Sequence, residues 1–256
     1  MLRNVESLKA CTVLASDGDI GYVEELYFDD EAWGIRYLVV ATGNWIDGRR
    51  VLISPYSVIR TDLAARSIHI ELTRQQVSDS PSVDIDKPVS RLHEAEYLRY
   101  YGYPTYWGAP ELWGVGSYPA FSRAALSAVP PETLAQLARY ADQATGDSHL
   151  HSTSAVDGYH VAANDGDIGH VSGFIFDDEA WVIRYLCVDT GNWWPSKEVL
   201  LATQWIFLVD WLESSVLTQL PRDAIKGSPV YDSTIPLARD FETQLHAFYG
   251  KAGYWS

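Results

Sequence analysis

Residues 17–46 read DGDIGYVEELYFDDEAWGIRYLVVATGNWI, and residues 165–194 read DGDIGHVSGFIFDDEAWVIRYLCVDTGNWW. The two stretches align without a gap at an offset of 148 residues, and 21 of the 30 aligned residues are identical. Each stretch contains two strand-length apolar runs and several tight turns, a pattern typical of the core of a small β-domain. The repeat therefore predicts two similar domains in this chain of 256 residues.

Short strands separated by turn residues continue through each copy. Asp17-Gly18 predicts a hairpin turn of type I′ with positive φ, and Gly21 predicts a bulge or a close backbone approach. Residues 35–40 form the most apolar strand. About six short strands at intervals of roughly 8–12 residues predict a mainly β fold, with one small closed barrel in each copy.

A helical tail is predicted after the strands of each copy. In the first copy apolar and aromatic residues recur at helical spacing, with Ser90 as a suitable N-cap and Gly102 as a C-cap. The second copy has the same spacing, followed by Gly250, and both tails end in a Tyr-Trp pair. The two stripes consist of Val89, His93, Tyr97 and Tyr100 in the first copy and Leu237, Phe241, Leu245 and Phe248 in the second.

The repeat sets the expected domain boundaries. Residues 1–107 form the first barrel with its helical tail, and residues 153–256 form the second. Between them, residues 108–152 have no counterpart and begin with a stretch rich in Gly, Pro and aromatics. This linker is predicted to contain one helix through Leu134, Leu137, Ala138 and Ala141. Its aromatic residues have two open readings, namely packing back on the barrels or docking a partner.

Composition and charge exclude several classes of protein. The formal net charge is −15, which disfavours binding to nucleic acid or to anionic membranes. No apolar run reaches the roughly 18–20 residues needed to span a bilayer, so we expect no membrane insertion and a cytoplasmic protein. Cys11 and Cys187 fall at non-equivalent places in the repeat, which predicts two reduced thiols rather than a disulfide.

Acidic turns and one arginine per repeat are the main candidate site residues. The turn aspartates suit the backbone of tight turns, with cation binding as the alternative. The arginine in each apolar strand predicts an ion pair with a turn carboxylate, with anion binding as the alternative. The residues assigned to turns and ion pairs are Asp17, Gly18, Asp29, Asp30, Arg36, Asp165, Gly166, Asp177, Asp178 and Arg184.

Motifs for catalysis are missing from the sequence. There is no P-loop, dinucleotide-binding glycine motif or nucleophile elbow. The histidines His149, His151 and His160 resemble metal ligands, but the nine-residue gap and the hinge composition disfavour a metal site as the alternative. We therefore expect no catalytic residues, no cofactor and no metal.

The order DGDIG, DDEAW, IRYLVV and TGNW resembles the PRC-barrel family. That family includes the cytoplasmic domain of the photosynthetic reaction-centre H subunit and the C-terminal domain of a ribosome-maturation factor. The resemblance covers both copies but not the linker, and it implies tandem barrels that act as assembly and docking modules. The membrane helix of the H subunit and the N-terminal domain of the ribosome factor have no counterpart in the sequence.

The sequence thus predicts a non-enzymatic protein-binding module that forms a homodimer. The alternatives are a ligand-binding protein or enzyme that uses a groove between the barrels, and an adaptor of the ribosome-maturation kind. The partner protein is not identified by the sequence. An amphipathic helix left uncovered after barrel closure favours association. The predicted interface residues are Phe241, Leu245, Phe248, Tyr97, Tyr100, Trp107 and Trp255.

Overall fold

A computed structural model gives the fold of most of the chain. It describes residues 1–46, 48–81, 89–109, 111–114, 116–119, 132–133, 135–136, 139, 149–191 and 197–256. The predicted linker-helix residues Leu134, Leu137, Ala138 and Ala141 lie outside the described residues.

The described residues are mainly β, as the sequence predicts, and form two seven-stranded sheets. In the first half of the chain the strands are β1 (Leu2–Asn4), β2 (Thr12–Ala15), β3 (Gly18–Asp29), β4 (Ile35–Ala41), β5 (Arg50–Ile53), β6 (Val58–Asp62) and β7 (Ser67–Ile70). In the second half they are β8 (Leu150–Ser152), β9 (His160–Ala163), β10 (Gly166–Asp177), β11 (Val182–Asp189), β12 (Glu198–Ala202), β13 (Ile206–Asp210) and β14 (Ser215–Thr218).

Short helices follow or interrupt the strands of each repeat. The α-helices whose bounds the structure describes are α1 (Arg74–Ser78), α2 (Arg91–Tyr101), α3 (Thr153–Val156), α4 (Arg222–Gly227) and α5 (Arg239–Tyr249). Single 3₁₀ turns occupy Val5–Ser7, Gly43–Ile46, Pro55–Ser57 and Thr203–Trp205. No described helix combines the length and the apolar character needed to cross a membrane.

The two sheets have the same strand order. The first runs β5-β4-β3-β2-β7-β6, and the second runs β12-β11-β10-β9-β14-β13, which is the same path shifted by one repeat. In both sheets the pairing is antiparallel except for one parallel pair, β2 with β7 and β9 with β14. Within the described residues the ladder does not close between its two end strands, which are consecutive in sequence and joined by a 3₁₀ turn.

The first strand of each repeat pairs with the sheet of the other repeat. Strand β1 pairs antiparallel with β10, with Leu2 opposite Asp177. Strand β8, which stands 148 residues further along, pairs antiparallel with β3, with Leu150 opposite Asp29. The two registers are equivalent, since Asp177 is the repeat counterpart of Asp29. The repeats have therefore exchanged their first strands.

This exchange explains how the chain divides into compact units. One unit contains Met1–Glu6, Thr153–Asp178 and Ile183–Ser256, and is called the C-unit here. The other contains Ser7–Ser152 and Glu179–Val182, and is called the N-unit. Each unit is thus built mainly from one repeat and completed by a short segment of the other.

Glycine fixes the geometry at the start of β3 and β10. Gly18 and Gly166 have φ values of 147° and 137°, while Asp17 and Asp165 before them do not have positive φ. The hairpin is therefore present but is not the type I′ turn that the sequence suggests. Gly21 lies beside a bulge, and a Cβ on it would lie 2.0 Å from the carbonyl oxygen of Ala41. Only glycine lets the two backbones approach so closely.

Each tail helix has the predicted ends. Helix α2 starts after Ser90, whose Oγ accepts from the backbone N–H of His93 at 3.4 Å. It ends at Gly102 with φ of 73°, and α5 ends at Gly250 with φ of 61°. These left-handed C-caps are favourable for glycine because it has no Cβ.

The core of each unit lies around its most apolar strand. In β4 the residues 35–40 are all buried, and in β11 the counterparts are buried except the half-buried Arg184. Fully burying an aliphatic side chain such as Leu38 contributes about 1.5–3 kcal/mol, so a run of this kind dominates the stability of a small sheet. The only charged side chain in the run is the arginine, which is the starting point of the candidate site.

Candidate functional site

A buried arginine and aspartate join the β3–β4 turn to the core of the N-unit. Arg36 Nε donates to Asp29 Oδ2 at 2.7 Å, and both side chains are 2% exposed. Asp29 also accepts from three backbone N–H groups of the turn, at distances of 2.7–3.2 Å. A Cβ at Gly34 would lie 2.5 Å from the guanidinium carbon, so glycine makes room for Arg36 over the turn. Asp29 therefore organises the turn and neutralises the buried cation at once.

Helix α2 and its tail complete the cluster. The guanidinium of Arg36 lies 3.8 Å from the ring centroid of Tyr106, and that of Arg91 lies 4.7 Å from the ring of Trp107. The Tyr106 hydroxyl donates to Glu94, which is 1% exposed. Burial raises the pKa of Glu94 to about 7, although Tyr106 and both arginines oppose the rise. The result is a closed arrangement of two arginines, two carboxylates and two aromatic rings, called the N-cluster here.

The second repeat builds the same arrangement from equivalent positions. Arg184 lies 3.9 Å from the ring of Tyr254, and Arg239 lies 4.2 Å from the ring of Trp255. Tyr254 donates to Glu242 Oε1 at 3.0 Å. Together with Asp177, these residues are called the C-cluster here. The two clusters correspond residue by residue at the repeat offset.

One neighbour of the C-cluster differs from its counterpart. Tyr185 donates to Glu242 at 2.9 Å, and its hydroxyl also lies 2.9 Å from His246 Nε2. His246 replaces Leu98 of the first repeat. Burial lowers the pKa of His246, so the neutral imidazole is favoured beside the Tyr185 hydroxyl.

The two clusters differ most in their exposure and in the strength of the arginine's contacts. Arg36 is 2% exposed, whereas the Arg184 side chain is 24% exposed. Arg184 makes one long contact with Asp177, from Nη2 at 3.5 Å, and its buried Nε has no hydrogen-bond partner among the described residues. Arg239 is 51% exposed and Trp255 is 39% exposed. The C-cluster is thus an open version of the N-cluster.

The linker closes the N-cluster. Arg36 Nη1 donates to the carbonyl oxygen of Leu112 at 2.7 Å, and the Trp113 ring lies 4.6 Å from the same guanidinium. Trp113 is 1% exposed, its Nε1 donates to Ala180 O, and its carbonyl accepts from the Tyr56 hydroxyl, both at 2.7 Å. This part of the linker packs back on its own unit, which is one of the two readings that the sequence leaves open.

The remaining acidic turn residues hold other segments in place. Asp17 accepts from the N–H of Arg74 at 2.7 Å, at the start of α1, and Asp165 accepts from the N–H of Arg222 at 2.8 Å, at the start of α4. In the first repeat Asp30 Oδ2 lies 3.1 Å from His151 of the exchanged strand β8.

Asp178, the counterpart of Asp30, contacts the exchanged strand β1. It forms ion pairs with the N-terminal amine of Met1 and with Arg3. The described residues contain no group of three or more His, Cys, Asp or Glu side chains that could hold a metal ion. The acidic turns therefore contribute to the same two tasks in both repeats, namely helix capping and anchoring of the exchanged strands.

The predicted interface residues separate into three groups by exposure. Tyr97 and Leu245 are buried within their own units, where they pack against the core. Phe241 and Trp107 are half-buried. The exposed members are Tyr100, Phe248 and Trp255. The inner face of each tail helix is therefore covered by its own unit, and its outer face is exposed.

Several cluster residues are missing from the sequence prediction. The cluster residues Arg91 and Glu94 are identical in the second repeat, as is their helix neighbour Tyr101, although the other residues of helices α2 and α5 differ. This identity at three of eleven positions is a signal for a shared contact that an apolar-stripe analysis overlooks. Trp113 carries no such signal, because the linker has no counterpart.

Comparison with known proteins supports the predicted family. Residues 3–77 match the family model described as the PRC-barrel domain. A search of curated proteins found no match to the chain. The first repeat therefore contains a PRC-barrel domain, and the second repeat, with the same strand order, indicates a second one.

Proposed function

We propose that this chain is a non-enzymatic assembly module that forms a homodimer through the β13–β14 hairpin of the C-unit. A PRC-barrel domain is in general suited to protein interaction and assembly, which supports the broader part of the proposal. The hairpin supports the more specific part of the proposal, the homodimer, because it exposes large apolar side chains whose contact with water is unfavourable.

The observation that carries the proposal is the exposure of three residues. Phe207 is 67% exposed, Leu208 is 47% exposed and Leu212 is 95% exposed. They stand within six residues of one another on β13 and its turn. Clustered apolar exposure of this kind marks interaction surfaces, whereas single exposed apolar residues need no explanation.

The first repeat provides an internal comparison for this hairpin. The counterparts of the three residues are Ile59, Arg60 and Ala64. Arg60 places a charge on the edge strand β6, where its Nη2 lies 2.9 Å from His69 Nε2. A charge on an edge strand opposes association with another chain. The second repeat has no charge at this position and exposes more apolar area.

A second copy of the chain is the occupant that fits best. A two-fold axis brings the same hairpin of two copies together, so that each apolar residue meets another apolar residue. A bulge at Phe207 interrupts the edge, so side-chain packing rather than sheet extension holds the contact.

Light scattering of the full chain tests the proposal. The variant Phe207→Ile/Leu208→Arg/Leu212→Ala gives the hairpin the residues of the first repeat, so it should fold and have the mass of a monomer. The control Leu92→Ser changes another exposed apolar residue, in the N-unit, and should keep the dimer mass. A wild-type monomer at high micromolar concentration, or a triple variant that remains a dimer, contradicts the proposal.

A further inference from the structure

The open C-cluster has a template within the same chain that shows what covers such a cluster. In the N-cluster the cover is the segment 111–114, which supplies one carbonyl oxygen and one indole ring to Arg36. The arginine then has acceptors at both Nε and Nη1, each at 2.7 Å. A buried guanidinium needs such acceptors, because an unpaired donor costs free energy.

The shape of the covering segment is specified by its glycine. Glu111 and Gly114 form a β-bridge, so the Leu-Trp pair stands at the tip of a tight turn. Gly114 has φ of 73°, and a Cβ on it would lie 2.1 Å from the carbonyl oxygen of Thr105. The turn thus requires glycine directly after the tryptophan.

The C-cluster presents the same groups without that cover. Arg184 is stacked on Tyr254 as Arg36 is stacked on Tyr106, and it contacts Asp177 through Nη2 at 3.5 Å. Among the residues that the structure describes, Arg184 has no carbonyl acceptor in place of Leu112 O. The side chain is correspondingly twelve times more exposed, at 24% against 2%.

We propose that the C-cluster is a docking site for a tight-turn segment of another protein in which a tryptophan is followed by glycine. The carbonyl before the tryptophan accepts from the Arg184 guanidinium, and the indole covers the face of that guanidinium. Stacking of an aromatic ring on a guanidinium and a charge-assisted hydrogen bond are both favourable at a partly desolvated site. The proposal rests on the assembly function but names different residues and a different occupant from the homodimer.

The occupant is a foreign chain rather than a second copy. The linker tryptophan of each copy is already buried in its own unit, where it forms hydrogen bonds through Nε1 and its carbonyl. A tethered segment also competes strongly against a free one, because its effective concentration is high. The linker of a second copy is therefore not free to fill the C-cluster.

One difference between the repeats sets the expected strength of docking. Tyr56, whose hydroxyl holds the Trp113 carbonyl, is replaced by Gln204. The Gln204 amide donates to Ala252 O at 3.0 Å instead. Docking at the C-cluster thus lacks the hydrogen bond that Tyr56 supplies to the linker at the N-cluster. A weaker, reversible complex is therefore expected.

Isothermal titration calorimetry with a synthetic peptide tests the site. The probe is GAPELWGVGS, the sequence of residues 108–117, added to the full chain, and the control peptide has Ala in place of Trp113. We expect one peptide bound per chain, at least a tenfold loss of affinity with Arg184→Ala, and a partial loss with Arg184→Lys, which keeps the charge but not the planar fork. Arg60→Ala, an exposed arginine of the N-unit, should leave binding unchanged.

A second variant distinguishes loss of the docking site from misfolding of the Arg184 variant. Tyr254→Leu keeps the apolar bulk of the tail but removes the ring on which Arg184 is stacked, so it should also weaken binding. Absence of peptide binding to the wild type, or equal binding to wild type and a folded Arg184→Ala, overturns the docking site. Light scattering tests the homodimer without the peptide. A failure of the docking site and a failure of the homodimer can therefore be distinguished.

Discussion

At the scale of single residues, the fold depends on positions where charge or backbone geometry leaves little freedom. Glu94 is the clearest case, because its carboxyl group is buried between two arginines and the Tyr106 hydroxyl. Burial disfavours the charged carboxylate, and the neighbouring cations only partly offset that cost. The protonation of Glu94 is consequently coupled to folding.

The raised pKa of Glu94 predicts that stability falls as the pH rises. Between its ordinary value of 4.5 and about 7, the folded protein holds a proton that the unfolded chain has lost. The free energy of unfolding therefore decreases across this window, by up to about 3 kcal/mol. Glu94→Gln should remove that decrease, as measured by urea unfolding at pH 5 and pH 8. The control Glu96→Gln alters an exposed carboxylate of the same helix and should retain the wild-type pH dependence.

Gly21 allows a prediction about backbone geometry. The Cβ in Gly21→Ala would overlap the Ala41 carbonyl oxygen, and φ is 134°, so we expect a loss of about 3 kcal/mol in thermal or urea unfolding. Gly43→Ala is the matched control, with φ of 57° and open space around the position. It should cost only about 1 kcal/mol, from the left-handed backbone alone. Equal losses in the two variants would show that the close approach at Gly21 is not tight.

At the scale of elements, the sequence predicts most of what is local. The strands, the tail helices and their caps follow from alternation, helical spacing and glycine. The type I′ turn at Asp17 is the exception, because positive φ falls on Gly18 alone. The closed N-cluster could be predicted only in part, since the pairing of Arg36 with a turn carboxylate is local whereas Trp113 comes from a linker without a repeat.

The strand exchange could not be predicted from the sequence for a physical reason. Strands β1 and β8 have only three residues each, and they face similar partner strands, since β3 and β10 share seven of their twelve residues. The local sequence pattern predicts that such a segment pairs with a strand. Which of two equivalent strands it pairs with depends on the path of the intervening chain. Asp30 contacts His151 of β8, and Asp178 contacts Arg3 of β1, so each repeat can anchor the first strand of the other.

The exchange predicts a crossed pattern of hydrogen exchange. Leu2 and Leu150 are both buried, so Leu2→Asp and Leu150→Asp each introduce a buried charge that should detach one short strand. Leu2→Asp should speed amide exchange at residues 175–177 of β10, and Leu150→Asp should do so at residues 27–29 of β3. If each strand instead paired within its own repeat, the two variants would show the opposite pattern.

At the scale of the whole molecule, the two repeats have the same fold but different surfaces. The two sheets have the same strand order, and the two clusters consist of the same residue types. The cluster of the C-unit is more exposed than that of the N-unit, and the hairpin of the C-unit exposes more apolar area. The C-unit has the apolar hairpin and the open cluster, whereas the N-unit has a charged edge strand and a cluster closed by the linker. Gene duplication followed by change in one copy would give two units with the same fold and different surfaces.

This asymmetry makes a prediction about the tail helices. Phe248 and Tyr100 are equivalent and exposed to a similar degree, but only Phe248 belongs to the unit that carries the apolar hairpin. If the association surface extends over that unit, Phe248→Ser should weaken the dimer about tenfold, which corresponds to about 1.4 kcal/mol, the scale of one buried apolar contact. Analytical ultracentrifugation over a concentration series measures this change in the dissociation constant.

Tyr100→Ser is the control that separates the two halves of the molecule. It removes an aromatic ring of similar exposure from the equivalent tail position of the N-unit, so it should leave the dissociation constant unchanged. Equal weakening by both variants would mean that both tails contact the second copy, and that the hairpin is not the centre of the interface. No weakening by Phe248→Ser, together with loss of the dimer in the hairpin variant, would confine the interface to β13 and its turn. That result would leave the tails to their role inside each unit, where Tyr97 and Leu245 are already buried.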